Sequence, residues 1–273
     1  MRRKTMHSTW ILFSLLLMLT FFFAYGCVGY PHSALKPSGA SLEAPSCHHL
    51  FGTDNLGIDI FAQISRGFFY SMVIGLCAAA ITFVIGGSLG VLAGYCGGRT
   101  DLAISFFIHV FLCVPQLPVL IVLGAFFGQN MWNVILIVSM FSWAPIAKQI
   151  RAKTRSVRGR PFILMARKYG GGVCYMIRVH ILPEILPLLS VNALSVVGKA
   201  IIQESALAYL GLSDPLAKSW GLMINKATQF SGIYFTEYWK WWLIAPVTAL
   251  VITIFLIRLL ARSLELHYMG GSA

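Results

Sequence analysis

RAKTRSVRGRPFILMARKYGGGVCYMIRVHILP, residues Arg151 to Pro183, is a basic segment set between two long apolar runs. From Lys148 to Arg178 every charged residue is Lys or Arg, and the next acid is Glu184. Such a segment cannot lie in hydrocarbon, so residues 151–183 are expected to leave the membrane as a substantial loop. Its Lys and Arg place that loop on the cytoplasmic side, because cytoplasmic loops carry the excess of positive residues near the ends of spans. Pro161 suits the first turn of a helix, and Phe162 to Tyr169 extend it for about two turns. Gly170, Gly171 and Gly172 then stop it, since glycine accepts the positive φ of a helix end. A short helix on a cytoplasmic loop is suited to fill a partner's socket.

The composition agrees with a membrane setting. Of the 273 residues 58% are hydrophobic and 11% charged, and the mean hydropathy is +0.76. The net charge of +12 is not a nucleic-acid signature, because the basic residues flank apolar spans rather than lining a soluble face. Working outward from the basic loop, the chain reads as an all-α integral membrane protein with six spans. Trp10 to Val28 follows Arg2, Arg3 and Lys4 and is long enough to cross a core about 30 Å thick. It reads as an uncleaved first helix with its amino end inside. The same features resemble a lipoprotein signal peptide, against which the bulky Tyr25 stands. The later spans are 69–95, 101–127, 131–150, 185–212 and 243–260. Pro115 and Pro118 bend the third span of the chain, and Arg258 and Arg262 close the last on the inner side. Six crossings put both termini in the cytoplasm. Gly86 and Gly90 allow close helix packing in the second span. Residues 1–68 form a first helix with an outer loop and an amphipathic surface helix, Asp59 to Arg66. Residues 69–273 form a five-helix core.

Several polar groups are candidates for function. Cys47-His48-His49 in the outer loop offers thiolate and imidazole, both transition-metal ligands, yet a closed site needs about four ligands, which favours an ordinary polar loop and no metal. Lys199, Gln203 and Glu204 fall inside the fifth span, where ionisable groups face a bundle interior, a partner helix or an aqueous path, or else form a structural polar pair. Lys199 and Gln203 are one turn apart, while Glu204 lies about 140° around from Lys199. Of the six cysteines only Cys27 and Cys47 share an outer compartment, and spacing does not show whether they pair. No H-E-x-x-H or G-x-x-x-x-G-K-[ST] occurs, and the G-x-S-x-G match at Gly86-Gly87-Ser88-Leu89-Gly90 lies within an apolar span, so no catalytic arrangement and no nucleotide-binding loop is expected in this chain.

Five motifs, in order, carry a family resemblance. They are Gly52-Thr53-Asp54-Asn55-Leu56-Gly57-Ile58-Asp59; Ala93-Gly94-Tyr95-Cys96-Gly97-Gly98; Ala166 and Gly170 with His180-Ile181-Leu182-Pro183; Glu204 to Leu212; and Ser219-Trp220-Gly221 with Met223. The chain resembles the integral-membrane permease subunits of ABC importers in the peptide/nickel branch, and within it the C-type partner. The resemblance implies a type I importer fold and a non-catalytic subunit in a bacterial or archaeal cytoplasmic membrane. It implies a second related permease, two cytoplasmic ABC ATPases that hold ATP and Mg, and an extracytoplasmic solute-binding protein. Phe162, Leu164, Met165, Ala166, Arg167, Gly170, Gly171 and Gly172 would then couple to the ATPases. Gly52, Thr53, Asp54, Asp59 and Trp220 would meet the binding protein, and Lys199, Gln203 and Glu204 would line the path or gate. Peptides, nickel or metal chelates would be carried. Leu164 and Met165 replace the Glu and Ala usual in the coupling motif, and Ile58 replaces an arginine. The reading from another class is an autonomous secondary carrier or membrane-embedded enzyme that uses Lys199 and Glu204.

Overall fold

The computed structural model describes residues 2–128 and 130–269, with side chains from residue 8 to 268. The side chains of Arg2, Arg3 and Lys4, and the end of the chain from residue 270, lie outside the described residues. The elements are α1 (Arg2–Val28), α2 (Ile60–Cys96), α3 (Gly98–Cys113), α4 (Gln116–Phe127), α5 (Met131–Arg158) and α6 (Pro161–Lys168). There follow α7 (Val173–Tyr175), a π-helical turn (Met176–Ile181), α8 (Leu182–Tyr209), α9 (Trp220–Gln229), α10 (Trp239–Trp242) and α11 (Ile244–Met269). Among the described residues five helical stretches are long and apolar enough to cross a membrane, and α3 with α4 makes a sixth if that pair is one span. The pair is bent by 85°. Proline lacks an N–H and drives the residue before it out of the helical region; Val114 accordingly sits at φ −76, ψ 125, just before Pro115.

The centre of the fold is α2, packed between α5 and α8. One face of α2 presents Gly86, Gly90 and Gly94, spaced one turn apart. A Cβ there would stand 3.0, 2.8 and 2.7 Å from the backbone oxygens of Trp143, Ala147 and Arg151 on α5. The two backbones approach so closely only because no side chain intervenes, as membrane helices commonly do through small residues. An ion pair then fastens α3 to α5, with Arg151 Nη2 2.8 Å from Asp101 Oδ2.

Two expectations are corrected. Asp59 to Arg66 is not a separate surface helix. Asp59 caps α2, its Oδ1 accepting from Ala62 N at 2.9 Å, and the helix runs on unbroken to Cys96 with residues 60–65 buried. The basic segment 151–183 is mostly helix. α5 continues to Arg158, and a continuous helical stretch starts again at Val173, leaving 159–172 as the connection. Between Met176 and Ile181 the turn widens, and Leu182 N–H bonds to Ile177 O, five residues back. Pro183 explains the widening: its ring crowds the carbonyl four residues earlier and it donates nothing in return.

Candidate functional site

The connection between α5 and α8 is built around α6. Pro161 occupies the first turn, as the sequence predicts. At the other end Gly170 has φ +90, Gly171 N–H bonds to Ala166 O and Gly170 N–H bonds to Arg167 O, both at 3.1 Å. That pair of bonds is a Schellman cap, which satisfies carbonyls the helix would otherwise leave bare. Ile163 is buried in the same cluster as Val157 and Met176 and anchors the helix inward, with Ala166 half-buried beside it. Arg160 Nη1 lies 2.6 Å from Glu184 Oε1 and ties the start of α6 to the start of α8. Phe162 packs edge-on against His180. The outward face is apolar: Phe162, Leu164, Met165 and Tyr169 are exposed, with Arg167 among them, while Gly171 is half-buried and Gly172 exposed. A capped, anchored helix with an unpartnered apolar face can hold a fixed position and receive a partner.

The outer motif 52–59 is a folded loop whose polar atoms turn inward. Asp54 Oδ1 accepts from the backbone N–H groups of Leu56 and Ile58 at 2.8 and 2.9 Å, and its Oδ2 accepts from Gln63 Nε2 at 2.8 Å. Thr53 Oγ1 donates to Ala40 O and accepts from Glu43 N. Gly52 and Gly57 have φ of +71 and +74, and a Cβ on either would meet a backbone oxygen at 2.4 Å. Asp59 Oδ2 accepts from Tyr30 Oη at 3.0 Å and lies 2.8 Å from His49 Nδ1. Burial, with the Asp59 carboxylate adding to it, pushes the Tyr30 hydroxyl up to about 12. Gly52, Thr53, Asp54 and Asp59 are buried, as is Trp220, whose Nε1–H donates to Ile64 O at 3.0 Å. They shape the outer surface from beneath it. Asn55 and Leu56 are the exposed members of the motif. Cys47 and His48 are exposed, whereas His49 is buried, so the three do not converge. Cys27 and Cys47 are free thiols.

The three polar residues of α8 also separate. Glu204 is fully buried, with Ser71 Oγ from α2 at 3.2 Å and its neighbour Ser205 Oγ at 3.5 Å, and with the hydroxyls of Ser213 and Ser219 beside it. Gln203 is buried too. Lys199 is half-buried and lies near Arg258 of α11, not near Glu204. Among the described residues no Lys199–Glu204 ion pair forms. Sequence spacing had no means of finding Ser71, Ser213 and Ser219, which come from α2 and the loop before α9. Nor did it point to Tyr30 as the partner of Asp59, or to His32 and Glu43 beside His49.

Comparison with known proteins fits this architecture. The family described as "Binding-protein-dependent transport system inner membrane component" matches residues 86–267. The dipeptide transport system permease protein DppC of Bacillus subtilis is 32% identical over 259 residues, covering 92% of this chain and 78% of that one. The oligopeptide transport system permease protein OppC of Haemophilus influenzae is 31% identical over 220 residues, 80% of this chain and 69% of that one. A putative peptide permease protein of Brucella suis is 29% identical over 235 residues, 84% of this chain and 77% of that one. Among solved structures, a chain of the MetNI methionine ABC transporter in inward-facing form superposes with a TM-score of 0.58 at 18% identity, over 75% of this chain and 96% of that one. That likeness shows the fold.

Proposed function

The chain belongs to the family of inner-membrane components of binding-protein-dependent transport systems, as a permease subunit of an ABC importer, and from that premise we propose that it serves peptide uptake and couples to its ATPases through α6. The observation that carries the reading is the exposed apolar face of Phe162, Leu164, Met165 and Tyr169 on a helix held from behind by Ile163 and capped at Gly170. A second, related permease stands beside this one and the path runs between them. Two cytoplasmic ATPases bind ATP and Mg, and each permease presents its short helix to one of them. Closure of the ATPases moves α6 as a rigid body, and α5 and α8, to which α6 is tied, carry the movement into the membrane.

The excess of Lys and Arg from 148 to 178, with Arg258 and Arg262 at the end of the last span, supports cytoplasmic placement of α6 and of both termini. On the other side the binding protein meets exposed groups of the two outer loops, Leu56 in the first and Leu216, Tyr234 and Phe235 in the second. The peptide class rests on the names of the relatives above.

Uptake of a radiolabelled dipeptide, a labelled oligopeptide and labelled nickel, in cells with and without the chain, tests the substrate class. Peptide uptake that depends on the chain and on ATP is the expected result. Chain-dependent nickel uptake with none of either peptide would overturn the peptide reading.

A further inference from the structure

We propose that His32, His49 and Asp59 form a binding site for a divalent transition-metal ion that clips the outer loop onto the start of α2. One ligand atom from each residue lies within 4.8 Å of the other two. Asp59 is fully buried, His49 is 3% exposed and His32 is half-buried, so the site is walled on one side and reachable from the other. The imidazoles of His32 and His49 lie side by side, with centroids 4.5 Å apart and planes 36° from parallel. Glu43 Oε2 stands 3.9 Å from His49 Nε2 and supplies a further carboxylate at the same place.

The groups around the cluster orient it. Tyr30 Oη donates to Asp59 Oδ2, and His32 Nε2 lies 2.9 Å from the carbonyl oxygen of His48. A carbonyl accepts only, so His32 carries its proton on Nε2 and turns the Nδ1 lone pair free. Outer partners of this kind fix the tautomer and ring orientation of metal-bound histidines. Imidazole with carboxylate suits borderline ions such as Zn2+. Ligand atoms bound at about 2.0–2.2 Å in a tetrahedral shell stand about 3.3–3.6 Å apart, so binding draws the groups together by up to roughly an ångström. The positive end of α2 opposes a cation here, and the Asp59 and Glu43 carboxylates offset it. Cys47 and His48, which the sequence singles out, lie outside the cluster.

This inference does not depend on the peptide reading or on α6. The test titrates the chelator-treated assembly containing the full-length chain with Zn2+ alone, against a chromophoric chelator at neutral pH. The wild type is expected to hold one more tightly bound Zn2+ per chain than His32→Ala. In that variant affinity should fall by more than about 100-fold, beyond the 10–100-fold of losing an outer partner. His48→Ala and Cys47→Ala should bind like the wild type, and absorption spectroscopy should show nitrogen and oxygen neighbours without sulfur. His32 is half-exposed and its loss leaves the Asp59 cap intact, so unchanged circular dichroism is expected and keeps the comparison valid. Equal binding by the wild type and His32→Ala, or loss in Cys47→Ala, would overturn the proposal.

Discussion

Gly170 and Gly172 sit two residues apart in the same exposed connection, and an added Cβ would meet nothing within 4 Å at either. They differ in backbone alone: φ is +90 at Gly170 and −67 at Gly172. Alanine at Gly170 therefore introduces no clash but must hold a left-handed conformation, at a cost of about 1–2 kcal/mol. The cost falls on the cap, because the N–H groups of Gly170 and Gly171 bond to Arg167 O and Ala166 O only while φ stays positive. A local destabilisation of that size multiplies the open fraction by about 5 to 30. Hydrogen exchange of the amides from Tyr169 to Gly171, measured by mass spectrometry on the purified assembly, should accelerate by that factor. Alanine at Gly172 should leave exchange unchanged or slow it slightly, since it restricts the unfolded chain at a conformation alanine accepts. Substrate-stimulated ATPase activity should fall in the first variant and not in the second. Equal exchange in the two variants would refute the cap argument, and lost ATPase activity in both would refute the link between cap and coupling.

Other outcomes follow from the same geometry. Leu164→Asp together with Met165→Asp places two charges on the outward face of α6 without touching Ile163; the chain should still insert, but ATPase subunits should no longer co-purify with it. Tyr30 ionises less readily in the folded loop (about 12) than in an unfolded chain, where it has its ordinary value near 10. Its contribution to loop stability is therefore complete below about pH 10 and is lost as pH rises towards 12. Absorbance of tyrosinate with pH should show one fewer late-titrating group in Tyr30→Phe than in the wild type. Gly90→Val pushes a branched side chain into α5, where a Cβ alone would stand 2.8 Å from Ala147 O; overpacking of this kind costs about 1–3 kcal/mol or more. It should lower the temperature of thermal aggregation, whereas Gly172→Val, with open space around it and φ −67, should lower it less.

The spans were legible because hydrophobic length is a local property, and the spacing of Gly86 and Gly90 showed that α2 could approach another helix closely, though not that the helix is α5. The α6 cap was equally plain, since Pro161 and Gly170 mark the two ends of one short periodic run. Helix limits were not. Hydropathy tells where a helix leaves the hydrocarbon, and RAKTRSVR contains no breaker before Gly159, so α5 continues into water. The same holds at Asp59, where polar Gln63 and Ser65 gave an amphipathic pattern although both are buried, Gln63 bonding to Asp54 of the outer loop rather than to solvent. Buried polar groups were legible only as single residues. Glu204 finds Ser71 across 133 positions, and His49 finds His32 through a loop with no periodicity to announce it.

The central claim is that α6 touches the ATPase. The most direct measurement places a photo-reactive benzoylphenylalanine at Met165 on the exposed face of α6 and, in a second sample prepared in the same way, at His48 in the outer loop. Native membranes are then irradiated and the captured partners identified. The account predicts an ATP-hydrolysing subunit bound at Met165 and none at His48. Capture of the ATPase from His48, or from neither position while the assembly stays intact, would contradict it.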